Sequence, residues 1–390
     1  AVALVGRAAM AARGCIWACL SGLAAAAAAP VTVFNLPAAG SLFEAGLWHG
    51  ERAADHVRAF FATEEIARLL TYARSAEGKV ALDSLRRASL EAAPWLDGEL
   101  RGIAEGSGQD LDDIWSVNLM SELEYLEKAH GDHCSDVLGR DPMTGEVWHG
   151  HNEDWSLDFR PLVYFVVYNS GPAASFMPIG GLVYPGQAPG FAIAFTPHVW
   201  TTSNSLSPTG INTKGVGIVA MARAVIEGKT AEEVAQGYCR RGQAYGMNMQ
   251  VVAHSPGRAY AADIESAGSA DQVYLHRMDA NMTHFNNYKY LTRVPADAGA
   301  SSVHRQAAAD RFAAPQSKED VLAILGDTSD RDLPIYRSNN TMMTALFHSS
   351  TGRFWVWHAS NPKESEPSWT STLAEVFEAS TPNRLLRIYA

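Results

Sequence analysis

The stretch HCSDVLGRDPMTGEVWHGHNEDW, residues 133–155, decides the reading of the chain. At its centre Asp141-Pro-Met-Thr-Gly145 is turn chemistry: Pro presets one φ, Gly admits a left-handed one, and Asp bonds back to the local backbone. Apolar runs flank it, so Ser135–Arg140 and Glu146–His151 read as the two strands of a hairpin. The hairpin also marks a change of texture. Before it, from Leu42 to about Glu127, apolar residues recur at three- and four-residue steps, as in Val57, Phe60, Phe61, Ile66, Leu69 and Leu70, which predicts helices. Asp110 and the acidic residues after it predict a capped start for a buried helix over Ile114–Met120.

After it, short strand-like runs dominate: Leu162–Tyr168, Gly190–Phe195, Val216–Ala220, Met249–Ala253, Ala259–Ile264 and Gln272–Leu275. Thr230–Arg241 has an acidic first turn and a basic last one, matching a helix macrodipole. Ser301–Ala313 and Ser317–Leu325 predict two more helices, and Thr344–Ala359 a closing hairpin. Strands joined in sequence by turns imply a mostly antiparallel α+β fold with helices before and between the strands. No repeat, low-complexity linker or clean break interrupts residues 31–390, so they read as a single domain, with 31–133 its helical prefix.

Composition narrows the function classes. Nearly half of the 390 residues are apolar, enough to bury a sizeable core, and four Cys cannot staple a chain of this length. With 31 Lys+Arg against 42 Asp+Glu the net charge is −11, against non-specific binding to nucleic acid or an anionic membrane. Residues 1–30 carry Arg7 and Arg13, then an uncharged stretch Gly14–Ala29, the pattern of a secretory signal peptide. That stretch is 16 residues, short of the roughly 20 needed to span a bilayer as a helix. The sequons at Asn281 and Asn339 fit a secretory or lysosome-like route. Removing the leader removes Cys15 and Cys19, leaving Cys134 and Cys239.

Three chemistries compete for the cluster His133-Cys-Ser-Asp136 and Trp148–Trp155. His149 and His151, two apart on a strand, share a face and with Glu153 or Asp154 make a metal-ligand set. Cys134 is a candidate nucleophile, which needs a nearby base or positive charge to become a thiolate. The bland reading has the imidazoles and carboxylates satisfying one another at a sheet edge. Cys239, on its amphipathic helix, reads as structural.

The run Cys134-Ser-Asp136 followed by Gly150-His-Asn-Glu-Asp-Trp155 resembles the cysteine N-terminal-nucleophile (Ntn) hydrolases of the acyl-CoA:6-aminopenicillanate acyltransferase (peptidase C45) family. Glu99–Gly108, Val117–Glu122, Gly210–Gly217, Glu265 and His284-Phe-Asn-Asn-Tyr288 resemble further segments of it. The resemblance implies an αββα sandwich of two antiparallel sheets between helical layers. It also implies a proenzyme that cuts itself before Cys134, giving a heterodimer of residues up to 133 and 134–390. The freed α-amine would be the base for the Cys134 thiol, Asn152 and Asp154 would hold that amine, and Asn286 would stabilise the oxyanion. Ser135 would add a hydroxyl, and Trp155, Tyr184, Phe191, Phe195 and Trp200 would line the pocket. The reaction implied is hydrolysis of a small linear amide, or acyl transfer, through a thioester and without a cofactor. Tyr184-Pro-Gly186, Pro189–Phe195 and Asn204-Ser-Leu206 resemble the insect-type hydrolases of β-alanyl amines. A lipid amidase of acid-ceramidase type, a metal-dependent hydrolase using His149 and His151, and an inactive binding protein on the same fold are the alternatives. The fungal acyltransferase has Gly before its Cys; this chain has His133.

Overall fold

The computed structural model describes residues 29–128, 134–239, 242–297 and 299–378; His133 and all but the end of the leader read over 1–30 lie outside the described residues. Strand β1 (Val33–Ala39) is followed by six helices: α1 (Leu42–Phe61), α2 (Glu64–Ala73), α3 (Ala76–Ala92), α4 (Leu96–Ser107), α5 (Leu111–Asn118) and α6 (Met120–Glu127). Six strands come next: β2 (Ser135–Arg140), β3 (Val147–Asp154), β4 (Tyr164–Ser170), β5 (Ile179–Val183), β6 (Ile193–Phe195) and β7 (Val199–Ser205). Helices α7 (Ile218–Val225) and α8 (Ala231–Cys239) lead into β8 (Met247–Ala253), β9 (Ala261–Ala267), β10 (Ser269–Arg277) and β11 (Met282–His284). Helices α9 (Ala300–Ala309) and α10 (Lys318–Leu325) precede β12 (Thr341–His348), β13 (Arg353–His358), β14 (Trp369–Thr372) and α11 (Leu373–Glu378).

The strands form two sheets, one in the order β1-β4-β5-β6-β7-β8-β9-β10 and one in the order β11-β2-β3-β12-β13-β14. The expected α+β sandwich is therefore present, with one departure from all-antiparallel pairing: β1 joins the edge of the large sheet parallel to β4. The inner faces meet through aromatic rings. Phe195 of the large sheet stacks on Phe354 of the small one at 5.5 Å, and Trp200 lies flat on Phe347 at 5.0 Å. Helix α10 covers the outer face of β2 and β3, where Gly150 leaves room for it: a Cβ there would sit 2.5 Å from Leu325 and 2.6 Å from Val321. On the far side α1 packs on β4 through His49, whose ring nitrogens lie 2.8 and 2.7 Å from the Tyr168 and Tyr164 hydroxyls.

Local signals explain most elements. Asp110 accepts the Asp112 amide at 2.8 Å and caps α5, and Ser317 with Asp320 forms a reciprocal capping box on α10. One expectation is corrected. Val216–Ala220 is not a strand; the chain enters α7 at Gly217 and continues helical to Val225. All but one residue of α7 are buried, and a short continuous apolar run does not separate a buried helix from a buried strand. Strand β5 escaped the reading because its Gly180-Gly181 looks like a turn. Its glycines are there for packing: a Cβ on Gly180 would lie 2.2 Å from the Phe195 ring.

Helix α6 carries a pH-dependent element of stability. The buried Glu122 accepts the Ile218 amide at 2.7 Å with one oxygen, while the other has no partner, and burial pushes its carboxyl up to about 7. A raised folded-state value favours the protonated form, so stability is greatest below the unfolded value and is lost as pH rises through about 7. The Glu122→Gln variant keeps the acceptor without the charge. In denaturant titrations it should match the wild type near pH 4.5 and exceed it at pH 8 by up to about 3 kcal/mol. Equal stability at both pH values would contradict this origin of the pH dependence.

Candidate active site

The register of the β2–β3 hairpin builds the site. Ser135 lies opposite Asn152, Asp136 opposite His151 and Leu138 opposite His149. Opposed residues share a face and neighbours alternate. Asp136, His149, His151 and Glu153 therefore face the large sheet, whereas Ser135, Asn152 and Asp154 face the helices.

On the inner face three groups converge on one carboxylate oxygen. Asp136 Oδ1 receives His149 Nε2 at 3.0 Å, His151 Nδ1 at 3.1 Å and the Thr202 hydroxyl of β7 at 2.7 Å. Burial alone would raise the Asp136 carboxyl; the His151 charge and the two imidazole hydrogen bonds outweigh it and hold the group well below the carboxylate range. His151 Nε2 lies 2.9 Å from Glu153 Oε2. With each ring nitrogen on a carboxylate oxygen, His151 is placed as an imidazolium that donates both ways. Burial opposes its charge, but Asp136 foremost raises it well above the ordinary histidine value. Tyr184 donates to the other Glu153 oxygen, Oε1.

Cys134 stands directly before β2 on this same face, buried, with its Sγ 3.6 Å from Glu153 Oε2. Its φ of 71° is left-handed, a conformation that costs a non-glycine residue about 1–3 kcal/mol. Burial first, then the Glu153 charge, pushes the thiol up to about 12, with His151 pulling the other way. A thiol raised this far is protonated at neutral pH and a poor nucleophile as it stands.

The backbone of Cys134 is held by a residue the sequence reading did not single out. Arg305, fully buried on α9, donates to the Cys134 carbonyl, to Ser135 Oγ at 2.9 Å and to Asn286 Oδ1 at 2.8 Å. Asn286 has a φ of 61° and donates to the Ser205 carbonyl at 2.9 Å, so it is fixed beside the start of β2. Glu265 secures the segment that follows: it accepts the His284 ring at 3.1 Å and the backbone amides of Lys289, Tyr290 and Leu291. Nothing in the local pattern of Ser301–Ala313 separates Arg305 from an ordinary helical arginine.

The remaining sequence candidates divide by face. Asp154 accepts Arg337 Nη2 at 2.7 Å and leaves its second oxygen buried without a partner. Arg337 continues to Ser301, which Arg305 also contacts, so Asp154 is tied to the Cys134 backbone through one side-chain chain. Asn152 is not brought to the thiol. Its amide donates to the Leu325 carbonyl at 2.9 Å and its oxygen accepts Thr344 at 2.7 Å, fastening β3 to α10 and β12. Trp155 donates to Glu65 at 2.8 Å, and its ring meets Tyr184 at 5.6 Å. Phe60 and Phe159 complete that aromatic wall with Tyr184. Phe191 lies in the main hydrophobic core and, among the described ring contacts, makes none with Trp155 or Tyr184.

The ligand set read from sequence is also rearranged. His149 and His151 do share a face, but both turn to Asp136, and Asp154 lies on the other face. The metal-competent trio is instead Cys134, His151 and Glu153, whose ligand atoms all lie within 4.8 Å of one another. Among the described residues no helix is long and apolar enough to cross a membrane.

No family model matches the chain, and no curated protein does. Among solved structures, the Caenorhabditis elegans ortholog of N-acylethanolamine-hydrolyzing acid amidase is similar. Its TM-score is 0.41 at 10% identity, over 55% of this chain and 92% of that one.

Proposed function

We propose that the chain is a cysteine amidohydrolase or acyltransferase of Ntn type, made as a proenzyme cut between His133 and Cys134. One observation carries the reading: a strained, buried cysteine heads a strand inside a two-sheet sandwich, its thiol against a carboxylate–imidazolium–carboxylate array. The thiolate attacks the amide carbonyl, the amine leaves with a proton, and the Cys134 thioester passes its acyl group to water or to a second amine. Cutting before Cys134 supplies the missing base, because an α-amine has an ordinary pKa of about 7.7–8.0 and can take the thiol proton. The unpartnered oxygen of Asp154 suits it to accept a hydrogen bond from that amine.

Asn286 carries two amide N–H donors and commits one to Ser205, leaving the other for an oxyanion. The His151 imidazolium lies close enough to Sγ to favour the thiolate once the amine is present. Asn152 serves this site as a fastener between β3, β12 and α10. The substrate is a small linear amide, with a β-alanyl amine the leading candidate from the sequence resemblance.

Intact mass of purified wild type beside Cys134→Ala tests the reading. Wild type should give two fragments, the second beginning at Cys134, and the variant one uncut chain. A panel of β-alanyl amines and N-acyl lipid amides then fixes the acyl class. An uncut wild type whose amide turnover survives Cys134→Ala would overturn both the cut and the nucleophile.

A further inference from the structure

Cys134, His151 and Glu153 present one sulfur, one nitrogen and one oxygen to a common point, all three residues being buried. Around a tetrahedral zinc-class ion, bond lengths of about 2.0–2.3 Å place neighbouring ligand atoms roughly 3.3–3.6 Å apart. Here Sγ and Glu153 Oε2 are 3.6 Å apart, and His151 Nε2 and that oxygen are 2.9 Å apart. The His151–Glu153 edge needs an opening of a few tenths of an ångström, and all three ligand atoms lie within 4.8 Å of one another. The surroundings of the ligands provide a second, independent sign. His151 gives its other ring nitrogen to Asp136 at 3.1 Å, the carboxylate–histidine arrangement that fixes tautomer and ring orientation behind a metal-bound imidazole. Tyr184 holds Glu153 by Oε1, leaving Oε2 as the single ligand atom.

We propose that the protein binds one zinc-class divalent cation through Cys134 Sγ, His151 Nε2 and Glu153 Oε2, and that the ion caps the nucleophile. The exchange balances. Cys134 releases its thiol proton and His151 its Nε2 proton, while the Nδ1 proton stays on His151 and is donated to the Asp136 carboxylate; two protons leave as two positive charges enter. The net charge of the buried site is unchanged, so no new unpaired charge is buried. Coordination does not depend on the nucleophile reading. Inhibition does, and the cation then acts as a reversible inhibitor.

Cobalt(II) and cadmium(II) titration of the metal-free full-length protein tests this, read by sulfur-to-metal charge-transfer absorption. Wild type should bind one equivalent with that band, and Cys134→Ser should lose the band. Asp136→Asn touches no metal, yet should keep the band and weaken binding by about 10–100-fold. His149→Gln, outside the trio, should bind as wild type does. Where a variant folds poorly, metal-induced thermal stabilisation of the wild type, absent in Glu153→Gln, gives a second readout. A band that survives Cys134→Ser, or affinity indifferent to both Asp136→Asn and Glu153→Gln, would overturn the site. Metal binding by a chain that never cuts or acylates would count against the enzyme reading alone. Turnover unaffected by a saturating cation would overturn the capping role.

Discussion

Replacing Cys134 by Ala should leave a folded, uncut protein with no measurable amide turnover. Cys134 is the only thiol of the inner face among the described residues, and the hydroxyl that also meets Glu153, that of Tyr184, is committed to Oε1. Loss of a nucleophile removes the covalent route outright, and a drop of at least about 10³-fold is expected. The fold should survive, since Ala differs by one buried sulfur atom and is no worse suited than Cys to a φ of 71°. Wild type quenched during turnover should show a mass adduct equal to the acyl group on the fragment that begins at Cys134. Alkylation offers an independent check: with the thiol pushed up to about 12, the uncut chain should react with iodoacetamide far more slowly at neutral pH than the cut enzyme. Equal alkylation rates in the two forms would remove the link between cutting and activation.

The second large effect is at His151. It is the cation between two buried carboxylates, and removing one member of a buried ion pair costs about 3–5 kcal/mol because the charge left behind has no partner. His151→Gln leaves Asp136 and Glu153 to be satisfied by neutral donors. The denaturation midpoint should fall accordingly. Activity should fall by more than stability explains. Without the imidazolium the thiol loses the charge that opposes Glu153, and the pH at which alkylation of the cut enzyme reaches half its maximum should move up. The double variant His151→Gln with Glu153→Gln restores charge balance around the thiol. It should recover stability but not turnover, which separates a role in holding the site from a role in its chemistry. Full activity in the folded single variant would place His151 outside the reaction.

Much of this was legible in the sequence because it depends on local rules. The turn Asp141–Gly145 set the hairpin, and the strand period of two put His149, His151 and Glu153 on one face. The helical prefix announced itself by its 3.6-residue spacing and by caps such as Asp110. Cys134 was singled out by its polar company at the change from helix to strand. The α7 segment was misread because a fully buried helix has no polar face to betray its period.

What the sequence could not decide was which face meets which partner. Asn152 and Asp154 are two apart, and a matching motif put them together with Cys134. The register of Ser135 opposite Asn152 puts these two on the helix-facing side and sends Glu153 to the thiol. That register, and the facing of β3 toward β7 of the other sheet, bring Thr202 to Asp136 across 66 positions of sequence. Arg305 arrives at the Cys134 carbonyl from 171 positions away. The chain's own periodicities fix which residues travel together on an element. Only the packing of one sheet on the other, where burial makes every charge find a partner or shift its protonation, decides which of them meet and what chemistry they can perform.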